Sequence, residues 1–540
     1  MFLNKFQSFI IVIAFLAINR VDIFSSEIKV RNINFDKRNV FDDKDKDHFF
    51  ASKFLNFFHT TTQDFIIEDE LLFSEGDFID IDLLTETERN LRRTNLFTYA
   101  NIEIDSVGDN LYDVFVVTKD RWSLYPAILF GSGGGVTNYG ARVQEFNLFG
   151  TGTAVSVEAL NRSENDIGWQ GFASIEKQRI LRTELTFYGA LQANKYKTIQ
   201  YLNLYKPYRT LETEFSYGLF GLNSFGDDFV FSNDGTYLLA PYNETRAQMF
   251  FSKSWRKTDR IFASGMVEYH QVKRPNEITR QVFDNSGKLL LMFSSVSQKF
   301  YLSEKVNYYH IDDMIVGGYG SATLGKIFSI GSNGEDRYYV AAQGEASYYN
   351  GTSYLFGQLT GASAFSQSTA SYTYQEFLGL GFVKVTSGLV LAARFRQQTA
   401  WNWSAFRQLI IDNDIGLRGF EANKLSGENR IISNVEFRYF PDIPIWFVNF
   451  SGVAFWDIGT VWNQDKQLFD AKFYNAAGLG LRFHFTKSSS PSHTLRVDFA
   501  YNITDGKFGG IVFSSKQLFS AFGNHDFKLP EIFGSLIDLE

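Results

Sequence analysis

The chain of 540 residues contains no cysteine, which excludes a disulfide scaffold, a thiolate metal site and a lipid anchor on cysteine. Proline is scarce at 8 residues, roughly a third of average usage. The 7 histidines are scattered and no His-Glu-x-x-His occurs. Positive charge is short as well: 52 Lys and Arg stand against 60 Asp and Glu, and a net charge of −8 gives no support to nucleic-acid binding. No run reaches the roughly 18 apolar residues of a membrane helix. Gly131-Ser132-Gly133-Gly134-Gly135 lacks the Lys-Ser/Thr of a phosphate loop and reads instead as a glycine kink in an early strand. No enzyme constellation, cofactor or metal site is expected. His525-Asp526 has no nearby nucleophile and reads as a surface turn.

Aromatic residues are abundant, with 57 Phe, 27 Tyr and 8 Trp making 17% of the chain. Lys5 precedes an apolar run from Phe6 to Ile18. At about 13 residues this run is too short to span a bilayer and fits a secretory signal over residues 1–26, cleaved near Ser25 or Ser26. A secreted chain without an apolar helix can still cross a membrane as a closed barrel.

The pattern divides near residue 120. In 27–120, Ile28, Val30, Ile33 and Phe35 suggest a strand with a small irregularity. A charged run at 42–47 follows. Two helices are expected, over 63–73 and 82–94, the second with Leu84 and Leu91 on one face. Two alternating strands close the segment, so β-α-α-β-β makes a small α+β domain. From Trp122 onward short alternating strands repeat between Gly, Asn, Asp and Ser. Leu479, Leu481, Phe483 and Phe485 oppose Gly480, Arg482 and His484; Leu495, Val497, Phe499 and Tyr501 oppose Arg496, Asp498 and Ala500. In a soluble sandwich the apolar face is buried, whereas in a membrane barrel it meets lipid, and alternation alone does not choose. The signal, the aromatic load and some 400 residues without a helical stretch favour the barrel. At roughly 25 residues per strand plus loop, residues 121–519 give about 16 strands. The expected fold is mostly β: a 16-stranded transmembrane barrel after one small α+β domain, with an extension over 520–540.

The sharpest local signal is Leu417-Arg418-Gly419-Phe420, an arginine in a loop between long strands, followed by Phe455-Trp456-Asp457-Ile458-Gly459. An arginine leaving water needs a planar acceptor, and a carboxylate matches its fork of donors. Strand parity sets Asn434, Glu436 and Arg438 on one face, and Phe455, Asp457 and Gly459 on one face of the next long strand. A loop folded into the lumen would put Arg418 between Glu436 and Asp457, with Gly419 allowing a tight turn and Phe420 or Phe455 shielding the pair. Two lumenal carboxylates without a cation would repel each other.

These segments, with Asn434-Val435-Glu436-Phe437, resemble the core of the BamA/TamA family of outer-membrane assembly proteins, barrels of the bacterial surface antigen type. The resemblance implies 16 strands and an inward-folded sixth extracellular loop whose arginine is held by carboxylates like those at 436 and 457. Asn147-Leu148-Phe149-Gly150-Thr151-Gly152 is similar to the family's early-barrel motif. Residues 27–120 look like one POTRA domain, best matched at Phe73-Ser74-Glu75-Gly76-Asp77 and Glu88-Arg89-Asn90-Leu91-Arg92. The resemblance implies a bacterial outer-membrane protein with a periplasmic POTRA-like domain, acting on outer-membrane proteins in the lipid bilayer with periplasmic or lipoprotein accessory partners. The departures are room for only one POTRA domain, a short arginine loop, and some 20 residues beyond the last strand.

Three functions are open at this stage. An insertase would open a weak seam between the first and last strands, and Gly509, Gly510, Ser514 and Ser515, in a last strand reaching Phe519, would weaken it. A dedicated transporter would secrete one partner protein. A passive channel or surface-interaction barrel would need neither.

Overall fold

The computed structural model describes residues 28–40, 59–108, 110–133, 135–210, 213–231, 236–256, 259–275, 283–307, 309, 312–331, 334–367, 369–402, 409–441, 443–445, 448–485, 494–514, 517–520 and 525–534. The signal segment 1–26, the charged run at 42–47 and Ser515 lie outside them.

The N-terminal strands are β1 (Ile28–Arg38), β2 (Phe78–Ile79), β3 (Phe97–Gly108) and β4 (Leu111–Asp120), in the sheet order β2-β1-β4-β3. A bulge between Val30 and Asn32 accounts for the irregular alternation of β1. Helices α1 (Asp64–Glu70) and α2 (Ile81–Arg93) cover one face, and Asp80 caps α2 by accepting from the Leu83 amide at 2.8 Å. Val30, Ile67, Leu84, Leu91, Val114 and Val116 form the core between them.

The chain then enters a closed antiparallel barrel. Its first strands are β5 (Leu124–Gly133), β6 (Val136–Glu145), β7 (Thr153–Arg162), β8 (Gly168–Lys177), β9 (Thr186–Ala193), β10 (Lys197–Lys206), β11 (Phe215–Phe231) and β12 (Tyr237–Trp255). There follow β13 (Arg260–Lys273), β14 (Ser286–Ser303), β15 (Asp312–Ser329), β16 (Arg337–Tyr349), β17 (Ser353–Ser366), β18 (Thr369–Lys384) and β19 (Leu389–Trp401). A hairpin of β20 (Leu409–Ile411) and β21 (Leu425–Gly427) lies apart from the wall. The wall resumes with β22 (Asn429–Tyr439), the two-residue β23 (Pro444–Ile445), β24 (Val448–Trp462), β25 (Tyr474–Phe485), β26 (Thr494–Asn502) and β27 (Lys507–Ser514), which pairs back to β5.

Among the described residues, and leaving out the two-residue β23, twenty strands make the wall, not 16. The error lies in the spacing: turns such as that at 350–352 are tight, so a strand recurs about every 20 residues instead of every 25. Gly131, Ser132 and Gly133 of the glycine run lie at the end of β5, in an early strand as expected. Gly135, at φ +82°, takes a backbone conformation that side chains other than glycine rarely adopt as β5 turns into β6.

The N-terminal sheet does not stand apart as a separate small α+β domain; it is docked on one end of the barrel, called proximal here. Arg179 pairs with Glu70 at 2.9 Å, and Arg182 with Asp69 and Glu68 at 2.9 and 3.0 Å. The Asn147–Gly152 segment is the other half of the dock. Asn147 donates to the Thr62 hydroxyl at 2.8 Å, and the Gln63 amide donates to the Gly150 carbonyl at 2.9 Å.

The surface of the barrel is inverted relative to a soluble fold. Leu289, Leu291 and Phe293 point outward and are 42, 53 and 64% exposed, while Lys288, Leu290 and Met292 between them are buried. Leu479 and Leu481 are likewise exposed and Arg482 and His484 buried. An apolar belt of this kind around a polar interior is stable against lipid, which decides for the membrane barrel over the sandwich.

The Gly150 backbone carries a direct test of the dock. Gly150 has φ +71°, and a Cβ there would lie 2.5 Å from the Thr61 carbonyl oxygen. Gly150→Ala is expected to cost about 1–2 kcal/mol in backbone strain alone and to loosen the docked sheet. Proteolysis within 59–64 should then accelerate several-fold while the barrel keeps its heat-resistant gel mobility. An unchanged cleavage rate would remove the dock from this segment.

Candidate functional site: an inward arginine loop beside a sparsely paired seam

The hairpin β20–β21 folds into the barrel and carries the arginine at its tip. Asp412 shapes that tip: its carboxylate accepts from the amides of Asp414 and Ile415 at 3.0 and 3.2 Å, and its carbonyl accepts from Leu417 at 2.8 Å. Leu417 and Phe420 are buried with Ile411, Ile432 and Ala476. Gly459 leaves room for this cluster, since a Cβ on it would meet the Ile411 side chain at 2.3 Å. The loop is longer than the sequence suggested, because it contains a hairpin of its own.

Arg418 is fully buried. Its Nε and Nη2 donate to the two Asp457 oxygens at 2.7 and 2.8 Å, a bidentate fork. Nη1 donates to Glu436 at 2.9 Å and to Asp498 at 3.0 Å. The guanidinium lies 3.5 Å from the centre of the Phe455 ring. The structure thus brings Arg418, Glu436, Asp457 and Phe455 together, and places Phe420 in the loop's apolar cluster against Tyr474.

Sequence reasoning missed the rest of the network. Asp498 on β26 is a third acceptor of Arg418 and also binds Arg482. Glu436 is shared with Arg438, whose Nε donates to it at 2.9 Å. Asn434 donates to Asp457 and to the Gly416 carbonyl, and accepts from Arg394. Arg418 is therefore not the sole cation near two repelling carboxylates. Glu436 and Asp498 have other arginines, whereas Asp457 is held by Arg418 and Asn434. The signal was present, since Arg438, Arg482 and Asp498 sit on faces already read as polar, but adjacency of the strands was not readable.

The seam lies beside this network. Among the described residues, β27 pairs with β5 only through Gly510 opposite Gly133 and Ile511 opposite Ser132, at the distal end. On its other side β5 pairs with β6 along its whole length. Below Ser132 the strands touch through a T-shaped Phe130–Phe513 ring pair at 5.4 Å, without ladder pairing. Gly509 is more than a weak packer: a Cβ on it would meet the Gly419 Cα at 2.6 Å, so the loop's main chain lies directly on the last strand. Gly510 and Ser514 are in β27, but the strand stops at Ser514.

Phe519 leaves the wall altogether. Residues 517–520 and 525–534 run inside the lumen. Gln517 bridges Arg482 at 3.2 Å and the Asn307 carbonyl at 2.9 Å, and Phe519 lies beneath Arg438 and against Phe382. His525 is not on a surface turn: it is fully buried against Ser347 and Glu345.

No protein-family model and no curated protein matches the chain. Among solved structures it is similar to BamA from Haemophilus ducreyi lacking POTRA domains 1–3, at 14% identity over 90% of this chain and 84% of that one, with a TM-score of 0.39. It is also similar to CdiB from Escherichia coli (10% identity, 90% and 75% covered, TM-score 0.44) and to the FrpB iron transporter from Neisseria meningitidis (8%, 78% and 85%, TM-score 0.41). At these identities and scores the likeness decides nothing about what this chain does.

The network ranks its own substitutions. Arg418→Ala strands the Asp457 charge in a dry site and is expected to destabilise by about 3–5 kcal/mol. Asp457→Asn leaves Arg418 two carboxylates and should cost less, and Glu436→Gln less again. Urea titration of the heat-modifiable gel band measures the order; Glu436→Gln as the most damaging change would contradict this assignment of partners.

Proposed function

We propose that this chain is a BamA/TamA-like barrel of the bacterial outer membrane that assembles other outer-membrane proteins through its first/last-strand seam. One observation carries the reading: among the described residues, the β27 side of β5 has no ladder partner over most of its length. A free strand edge is a template for another strand. Opening the remaining pairs at Gly510 and Ile511 costs few hydrogen bonds, each contributing about 1 kcal/mol net. An incoming strand would pair with β5 and pass into lipid without exposing its backbone. The N-terminal sheet would face the periplasm as a POTRA-like domain and offer its own edge to clients. Arg418 would act as a structural latch, keeping the loop against β27 while the seam works, and no chemical step is assigned to it. Unfolded outer-membrane proteins and the bilayer are the proposed partners, with accessory proteins docking at the proximal end.

A passive channel fits poorly, because the lumen holds both the arginine loop and the segment after β27. Secretion of one dedicated partner keeps the same machinery and differs in its cargo.

The absence of cysteine makes a clean test possible. Ser132→Cys with Ile511→Cys, at directly opposed positions, should form a disulfide that abolishes assembly of client barrels in reconstituted vesicles, with recovery on reduction. Full assembly with the crosslink closed would defeat the seam reading. Depletion followed by outer-membrane proteomics separates the cargoes: many barrels lost means assembly, and one protein lost means dedicated secretion.

A further inference from the structure

The segment after β27 is bound through its main chain, and by side chains of the wall. Arg438 donates to the Phe519 carbonyl at 3.0 Å. Gln298 donates to the His525 carbonyl, and Glu345 accepts from the His525 amide at 3.2 Å. Tyr372 donates to the Phe533 carbonyl, and the Tyr339 hydroxyl accepts from the Phe533 amide at 3.0 Å. A chain threaded through a lumen has no neighbouring strand, so its buried peptide groups need such partners. Partners that read peptide groups do not read sequence.

Side-chain contacts add a preference. Phe527 meets Tyr208 edge-to-face and Phe262 at a tilt, with centroids 4.7 and 5.0 Å away. Phe519 meets Phe382, and Lys528 pairs with Glu345 and Gln343. The contacts climb the barrel: Asn307 lies in the proximal loop between β14 and β15, Arg438 toward the proximal end of β22, Glu345 in the lower half of β16, and Tyr339 and Tyr372 near the distal ends of β16 and β18. Ile532 packs in a cluster with Met266, Phe283 and Leu290. Beside it residues 528–532 line a cavity of about 390 Å³ together with Glu244, Glu268, His270 and Lys288 on β12, β13 and β14.

We propose that this face of the lumen is a binding track for an extended, unassembled polypeptide carrying aromatic residues, and that residues 517–520 and 525–534 occupy it in cis as a displaceable plug. The track satisfies peptide groups irrespective of sequence, offers an aromatic pocket at Tyr208 and Phe262, and has free volume alongside into which the plug can move. The inference rests on the reading of the chain as a protein-handling barrel but does not depend on the seam.

The test uses the full chain in lipid vesicles, with a urea-unfolded eight-stranded barrel protein added from the proximal side as the probe. Ser347→Cys with His525→Cys places two thiols where a 2.6 Å contact now lies. A photoreactive residue replaces Tyr339 in one preparation and Leu129 on the free edge of β5 in another. With the thiols reduced, the probe is expected to be captured at Tyr339. With them oxidised, capture there should fall at least tenfold and return on reduction. Equal capture in both states overturns the plug. Capture at Leu129 with none at Tyr339 overturns the track and leaves the seam reading intact; the reverse upholds the track and defeats the seam. Capture at neither overturns both. Should the cysteine pair fail to fold, a chain stopped after Ser520 is expected to conduct ions at least twofold better than the full chain in planar bilayers. Unchanged conductance means that the segment does not occlude the lumen.

Discussion

A guanidinium fully removed from water must have each of its donors answered, and at Arg418 the answers come from three different strands. Asp457 is on β24, Glu436 on β22 and Asp498 on β26. Side chains alternate along a strand, so a slip of one residue in any of these would turn its carboxylate to the lipid side and leave a buried charge unmatched. One cation therefore fixes the register of the wall around it as well as the position of the loop that carries it. The glycines follow from the same demand. Gly459 makes room for Ile411, and Gly419 and Gly509 let two main chains meet.

The loop and the segment after β27 act on the same strand from inside. Gly419 rests on Gly509 in the strand itself, and Gln517, just past its end, is tied to Arg482, which shares Asp498 with Arg418. The last strand is thus held by β26 along one side, sparsely by β5 on the other, and from within by what lies in the lumen. That division separates the stability of the barrel from the stability of its seam.

Parity in a strand is local, and so Arg418, Glu436, Asp457 and Phe455 could be brought together from residues alone. Asp498 could not: it is as strongly patterned as Glu436, but nothing local says that β26 lies across from the loop. The strand number failed for a related reason, since it depends on turn lengths and not on periodicity. The lumenal segment was illegible because His525-Asp526 has the composition of a surface turn, and the burial of His525 comes from the barrel around it. Gly509 was read as a poor packer, when its lack of a side chain serves contact with another main chain. Inversion of the surface, by contrast, needed only closure of the sheet to become decisive.

Closure also sets an order of events. The pairs that close the sheet join residues roughly 380 apart, the costliest loop to form in the chain. The segment that fills the lumen begins just past one of them, with its ligands on β14, β16, β18 and β22. It cannot find its hydrogen bonds until those strands already curve around it. The segment's hydrogen bonds therefore come after the strands that supply them, so that a newly made molecule passes through an unstoppered state in its own folding.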